Sequence, residues 1–534
     1  MSQQPADMAT SQNVQSCRLL QIPAEILDRI TWHLTTPELC NLRITCKSVE
    51  EALYYSFTTE FFTRKQFMIS EFSLRALVDI SKSRLAGHLR HVHFGLDQLG
   101  MHSTPSRGGD QARMFAQRMV EQETLWSLGL VPKYLAEAFG NLPNLETVVV
   151  RDFNSNRRSR DGPHAHWLSY GTQTMLKETS VRPTNGGIFG RHSMEYGFVD
   201  QMFRSIVHAL GMANARPTAI EVMERQGYPL FDSAFHMHPD FEDAIIPVLR
   251  GLKRLHLTLE ANSNAVDNDD LPYQRNSLTK FLRHCDGLEE LRINGKHNAS
   301  LYDIRNSLRN LYDWLTTAES TSEAEAQNEA KSPSLDGRTS DLSLLNAPIK
   351  FPRLQNISLG MTSFAVNDLV RLIAKFADTL QHLELWRIKL VSEDCKSLDE
   401  SQVLEDRQIL FAQVLKKLLN IPNLNLRHIK LGNMQQIWYP HHRHILEEVK
   451  FKATAKTKDE DVDAGIERAT RELQYTGTDW RHFVAHEMIP RLYTPRIKHE
   501  EESQDEDDND DEEDEDHDDD GDNDDDDNMD QDEE

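Results

Sequence analysis

One phrase recurs along this chain of 534 residues. A Leu-x-x-Leu-x-Leu pattern, or a close variant, appears with Leu89, Val92 and Phe94, and again with Leu145, Val148 and Val150. It returns with Leu252, Leu255, Leu257 and Leu259, with Leu288, Leu291 and Ile293, and with Leu354, Ile357 and Leu359. Leu380, Leu383 and Leu385 carry the sixth copy and Leu426, Ile429 and Leu431 the last, while Ile220 and Val222 mark a weaker one. Helical apolar spacing precedes two of them, at Leu369, Leu372, Ile373 and Phe376 and at Leu410, Val414, Leu415 and Leu418. Helix, short loop and strand in repetition predict an α/β fold with parallel strands and outer helices.

The phrase resembles the leucine-rich repeat, in which each unit adds one strand to a curved sheet. The Asn expected three residues after the final Leu is absent, since Glu260, Lys296, Thr362, Ile388 and Met434 stand there. The copies from Leu252 onward begin 26 to 66 residues apart. The resemblance therefore implies an irregular, insertion-rich solenoid; a generic α/β domain with buried strands is the other reading. Alternation turns the residues between the leucines onto the opposite, concave face. Arg254, His256, Glu290, Arg292, His382, Glu384, Trp386, His428 and Lys430 are the candidate substrate-facing residues. Thr258, Asn294, Asn356 and Ser358 belong to the same face. This two-signed, partly aromatic strip suits protein recognition better than a nucleic-acid groove, which would be more uniformly basic.

Ahead of the repeats runs IPAEILDRITWHLTTPELCNLRITCKSVEEAL, Ile22 to Leu53. Pro23 suits the start of a helix on which Ile26, Leu27, Ile30 and Leu34 form one stripe. Thr36 and Pro37 open a second helix that presents Leu39, Leu42, Cys46, Val49 and Leu53. Two helices this short and apolar cannot cover each other, so they require a partner surface in this chain or another. The stretch resembles an F-box: Ile22-Pro23, Glu25-Ile26-Leu27, Ile30, Leu34, Leu39, Leu42-Arg43, Cys46-Lys47 and Val49 follow that family's order and spacing. Ile at position 22 and the polar His33 depart from it without breaking the stripe. The resemblance implies docking onto the Skp adaptor of a cullin-RING (SCF) ubiquitin ligase, through Ile22, Pro23, Ile26, Leu27, Ile30, Leu34, Leu39 and Leu42. An ordinary hairpin packed on its own domain is the alternative.

Charge divides the chain. Residues 500–534 hold 26 acidic residues and no Lys or Arg, so the formal charge of −27 belongs almost wholly to the tail, and 60 acidic and 59 basic residues share the rest. Such a run repels itself and cannot bury apolar surface, so disorder is expected. The tail reads as a solubilising polyanion, as a ligand for basic proteins, or as a shield for the cluster Arg151, Arg157, Arg158 and Arg160, and that cluster itself reads as a solvated loop in the first place and otherwise as a dock for the tail or an acidic partner. The expected organisation is a disordered N-terminus (1–17), an F-box (18–65), the solenoid (66–495) and the acidic tail (496–534). Within the solenoid, 317–348 is expected to be disordered and 154–197 loop-rich, and residues 476–493 are expected to cap its last edge.

No phosphate loop, nucleophile elbow or metal-ligand spacing appears, so no catalytic residue, cofactor or metal is expected. His88, His91 and His93, and His441, His442 and His444, lack matching ligand companions. Five scattered cysteines suggest a reducing compartment. With no apolar leader or membrane-length run, the expectation is a cytoplasmic or nuclear protein without membrane or direct nucleic-acid contact. The functional expectation is a non-enzymatic substrate receptor of a ubiquitin ligase, its partners being the adaptor–cullin complex and a protein substrate. The competing one is a ligase-independent scaffold that carries basic proteins on its tail.

Overall fold

Alternation in most of the repeated phrases gives the strands one apolar face, and that face must find helices to cover it. The computed structural model describes residues 22–100, 109–154, 159–162, 167–183, 197–225, 229–260, 277–296, 309–316, 349–392, 409–438, 445–452 and 469–495. All belong to one unit that ends at Pro495. The expectations for 1–17, 317–348 and the tail lie outside the described residues.

Four short helices lead: α1 (Ala24–Thr31), α2 (Thr36–Arg43), α3 (Lys47–Ala52) and α4 (Tyr54–Phe62). Next come β1 (Arg64–Met68), α5 (Glu71–Ser81), β2 (His91–Gly95), α6 (Asp110–Ser127), α7 (Leu130–Gly140), β3 (Thr147–Arg151) and α8 (Thr172–Thr179). The middle of the chain supplies α9 (Phe198–Ala213), β4 (Ala219–Met223), α10 (Pro239–Gly251), β5 (Arg254–Glu260), α11 (Ser277–Arg283), β6 (Glu290–Lys296) and α12 (Arg309–Thr316). The last part holds β7 (Asn356–Gly360), β8 (Ser363–Ala365), a helix Val366–Lys375, β9 (His382–Trp386), β10 (Lys389–Val391), a helix Leu410–Leu419, β11 (His428–Gly432), β12 (Met434–Trp438) and β13 (Ile445–Lys452). Strands β14 (Ala469–Thr470) and β15 (Glu472–Thr476), a helical run over 480–491 and β16 (Leu492–Tyr493) complete it.

Ten strands form one sheet in the order β1-β2-β3-β4-β5-β6-β7-β9-β11-β15. All are parallel except β15, which closes the edge antiparallel to β11. The large parallel sheet with helices between its strands is the α/β solenoid-like repeat expected. The strand β1 was not foreseen, because its Arg-Lys-Gln-Phe-Met sequence hides the alternation.

Register is set at the strand entrances. The carbonyls of Thr63, Arg90, Glu146, Thr218, Lys253, Glu289, Gln355 and Gln381 each accept two successive N–H groups from the entrance of the next strand, at 2.7–3.1 Å. This ladder keeps the strands level despite the uneven spacing of the phrases. One register row then runs Val92, Val148, Ile220, Leu255, Leu291, Ile357, Leu383 and Ile429. Every member is buried against the helices, and each buried Leu or Ile contributes roughly 1.5–3 kcal/mol relative to exposure.

A second, smaller sheet was not expected. Its path is β14-β13-β12-β10-β8, with β16 also on β13. The chain enters it three times through non-glycine residues in the left-handed region, Met361, Arg387 and Asn433, at φ 51°, 51° and 49°. The amides of the three donate to the carbonyls of Trp386, Gly432 and Arg471 at 2.9 Å. The next residues, Thr362, Ile388 and Met434, are buried. They occupy the place where the repeat resemblance leads one to expect Asn.

The closing edge is capped by Trp480, Val484 and Met488, all buried. Arg481 Nη2 donates to Ile421 O at 3.0 Å and Tyr475 stacks on Phe483 at 4.6 Å.

Candidate functional site

The residues read as concave fall on three register rows. Arg254, Glu290, Asn356, His382 and His428 stand side by side, as do His256, Arg292, Ser358, Glu384 and Lys430. Trp386 lies in the third row with Asn294, Gly360 and Gly432. The fold thus brings all nine candidates onto one face.

Charge is paired along the strip. Arg254 Nε lies 2.8 Å from Glu221 Oε1, and His256 Nε2 lies 2.6 Å from Glu290 Oε1. Burial raises the Glu290 pKa, but the His256 hydrogen bond and charge, with Arg254 behind them, hold the carboxyl below its usual range. Ser358 Oγ donates to Glu384 Oε2 at 3.3 Å, His428 Nε2 sits 3.7 Å from Glu384 Oε1, and the His382 and His428 rings are 5.9 Å apart. The Lys430 ammonium lies 5.4 Å from the centre of the Trp386 ring. That ring lies across Gly432, where a Cβ would stand 2.1 Å from Trp386 Cζ3. Gly432 is therefore the reason a partly buried tryptophan can lie flat on this face.

The first strands carry the same rows under cover. Gln66 bridges Arg151 Nε (2.9 Å to Gln66 Oε1) and Ser169 Oγ (2.8 Å from Gln66 Nε2), and Ser169 Oγ donates to Asp97 Oδ2 at 2.9 Å. His93 is buried there, and burial, then Arg151, Arg64 and His91, push its pKa well down. Those two guanidinium groups oppose a cation at the His93 ring. Among the described residues no group of three His, Cys, Asp or Glu is placed to hold a metal ion. His441, His442 and His444 lie outside the described residues. Sequence reading missed Glu221 because β4 is the weakest copy of the phrase. It also missed Glu224, whose buried carboxyl is pushed well up by desolvation and then by Asp152.

The N-terminal hairpin divides its apolar residues between two tasks. Leu27, Leu39, Val49 and Leu53 make a core with Phe61, and Ile22, Leu34 and Leu42 pack at its margin beside Phe57, Phe62 and Trp167. Leu27 and Leu39 are thus interior residues, a correction to their reading as adaptor contacts. Pro23 is exposed, and Ile26 and Ile30 are 45% and 42% exposed. Ile44, not singled out in the sequence, is 82% exposed. The expected second helix is two: the Thr45 hydroxyl donates to Leu42 O at 2.7 Å and ends α2, and Cys46 is the exposed extended residue that opens α3. At the start of α2, Thr35 N donates to Glu38 Oε2 at 2.9 Å.

The loop-rich 154–197 insertion contains α8 and a short helical turn, Ser159–Asp161, which grips the hairpin. Arg160 donates to both Glu60 oxygens at 2.7 and 2.6 Å and to the carbonyls of Thr31 and Leu34 at 2.8 and 3.0 Å. Asp161 accepts from Thr36 N at 2.7 Å and from Thr36 Oγ1 at 2.6 Å. Arg160 therefore serves the hairpin, which corrects both readings of it, as a solvated loop residue and as part of a cluster for the acidic tail. Arg157 and Arg158 lie outside the described residues.

No family model matches the sequence, and no curated protein matches it. Among solved structures, a chain in the crystal structure of the Rad7 and Elc1 complex in yeast is similar at 12% identity, covering 76% of this chain and 87% of that one, with a TM-score of 0.21. A likeness so slight carries no functional weight.

Proposed function

We propose that the chain is the substrate-recognition subunit of an SCF-type cullin-RING ubiquitin ligase. In this reading the N-terminal hairpin is an F-box that docks on the Skp adaptor, and the irregular leucine-rich-repeat-like sheet holds a protein substrate on its concave face. The observation that carries the reading is the divided hairpin. It completes a core with α4 and Trp167 and still presents Ile26, Ile30 and Ile44 to solvent. Apolar side chains left outside a finished core mark an interaction surface. The chain contributes proximity and orientation rather than acid–base chemistry, and works in the cytoplasm or nucleus.

The test is co-purification of wild type and an Ile26→Asp/Ile30→Asp double variant, probed for the Skp adaptor and cullin. Both side chains are half-exposed, so the variant keeps the Leu27–Leu39 core. Two carboxylates in an apolar interface should weaken adaptor binding by about a thousandfold or more. A wild-type protein that brings down no adaptor refutes the reading.

A further inference from the structure

Along the register rows of Arg254 and His256 the carboxylates are engaged. Glu221 holds Arg254, Glu290 holds His256, and Glu384 is shared between the Ser358 hydroxyl and His428. Two cations of the same face are placed differently. Among the described residues Arg292 has no ion pair, and its Nε is closed off from solvent without a hydrogen-bond partner. Packing therefore fixes the side chain as far as Nε and leaves the planar fork beyond it without an acceptor among those residues. Lys430 has no carboxylate within ion-pair reach among the described residues and stands over the Trp386 ring.

The sheet sets the distance between them. Arg292, Ser358, Glu384 and Lys430 are register partners on β6, β7, β9 and β11. Three strand spacings amount to about 14 Å, which an extended chain covers in about four residues. Between the two cations β7 offers this face only Asn356, Ser358 and Gly360, so it raises no long side chain between Arg292 and Glu384. A guanidinium held by its stem loses little freedom when its fork meets a carboxylate, and that pairing is bidentate.

We propose that Arg292 and Lys430 are specificity-determining residues of the concave face, which read two acidic side chains about four residues apart on an extended polypeptide crossing β6 to β11. The inference rests on the receptor reading and deepens it by naming the class of segment held. Arg292 has the matched pair His256–Glu290 on one side and Ser358 on the other. A single carboxylate neutralises it, whereas a phosphoryl dianion would leave surplus negative charge beside Glu290 and Glu384. Those carboxylates, with Glu221, also repel the continuous phosphate backbone of a nucleic acid. The test needs no adaptor, so failure of adaptor co-purification and failure of peptide selection are separate results.

The experiment selects a phage-displayed library of random dodecapeptides on the full chain and titrates the fluorescently labelled consensus peptide. The wild type should enrich Asp or Glu at two positions about four apart, with affinity falling as salt rises. Arg292→Gln, checked for an unchanged circular dichroism spectrum and melting temperature, should bind the consensus peptide about tenfold or more weakly. Arg292→Glu should select Lys or Arg at one of the two positions, and Lys430→Gln should lose the acidic preference at the other. A Lys82→Gln variant, which alters the distant Lys82–Glu137 pair, should select the wild-type consensus. The proposal is overturned by a wild type that enriches no acidic pair, or by a folded Arg292→Gln that binds the consensus peptide undiminished. Tighter binding when phosphoserine replaces the acidic residues, or displacement of the peptide by a short single-stranded RNA, overturns it equally.

Discussion

Arg160 holds Glu60 by two parallel hydrogen bonds, at 2.7 and 2.6 Å, across a hundred residues of chain. The same guanidinium caps the carbonyls at the end of α1, and its neighbour Asp161 caps the amide at the start of α2. One dipeptide from the insertion thus fixes both sides of the hairpin loop, and Arg160 is only 7% exposed. Removing one partner of such a pair strands the other. Arg160→Ala should cost about 3 kcal/mol and raise amide exchange over 24–43 while the central strands stay protected. Arg160→Lys keeps the charge and loses the fork, so its effect should be intermediate. Unchanged exchange in the hairpin of Arg160→Ala would show that the clamp does not hold it.

Gly432 makes a different prediction. A methyl group there meets the Trp386 ring at 2.1 Å, so Gly432→Ala must displace the ring. Overpacking of this kind costs about 1–3 kcal/mol. The near-ultraviolet circular dichroism of the tryptophans should change, and any ligand that stacks on the concave aromatic should bind more weakly. Gly360→Ala meets Asn294 Oδ1, the far end of a side chain that can turn away. It should be milder, and equal effects in the two variants would contradict the ring placement.

Glu290 predicts a pH dependence. Burial pushes its folded pKa up, but His256, Arg254 and Asn356 together outweigh burial and hold it below the usual 4.5. A depressed carboxyl contributes stability that is present above the unfolded pKa and lost as pH falls through the folded one. The stability gap between wild type and Glu290→Gln should hold at neutral pH and close below about pH 4. Burial shifts Asp200 and Glu224 the other way, so the gap between paired melts, rather than either curve alone, isolates Glu290.

Trp480 guards the last edge of the main sheet. It is buried, and its helix packs beside β15 and the helix Leu410–Leu419. Trp480→Ala should cost about 3–5 kcal/mol. A chain cut at Gly477 should lose the capping helix beside β15 and self-associate through the exposed edge, visible as a concentration-dependent mass by light scattering. A truncated chain that stays monomeric would remove the capping role.

Period-two alternation in the repeated phrases was enough to place Arg254 through Lys430 on one face, because buried leucines leave their neighbours only the other side. The same logic failed for Leu27 and Leu39. A helical stripe says which residues are apolar, not which of them meet the fourth helix. Phe61 and Trp167 decide that, and Trp167 arrives from more than a hundred residues away. The clamp was illegible for the same reason, since Arg160 in isolation resembles any surface arginine. The left-handed turns at Met361, Arg387 and Asn433 share no residue type, so only the backbone reveals their period.

The ladder of carbonyls at the strand entrances has an evolutionary consequence. Each of the eight acceptors takes two amides from the following strand, so a residue inserted there would break two hydrogen bonds and shift a register row. Among the described residues no such ladder recurs on the exit side of β5 and β6, whereas after β7, β9 and β11 the second sheet holds that side in register. Stretches 261–276 and 297–308 follow directly on β5 and β6, while β4 to β5 and β5 to β6 remain paired in register. Each doubling in the length of a connection costs only about 0.6 kcal/mol. One edge of this molecule works as a ruler and the opposite rim as a drafting surface, so new specificities can be tried there without the fold being put at stake.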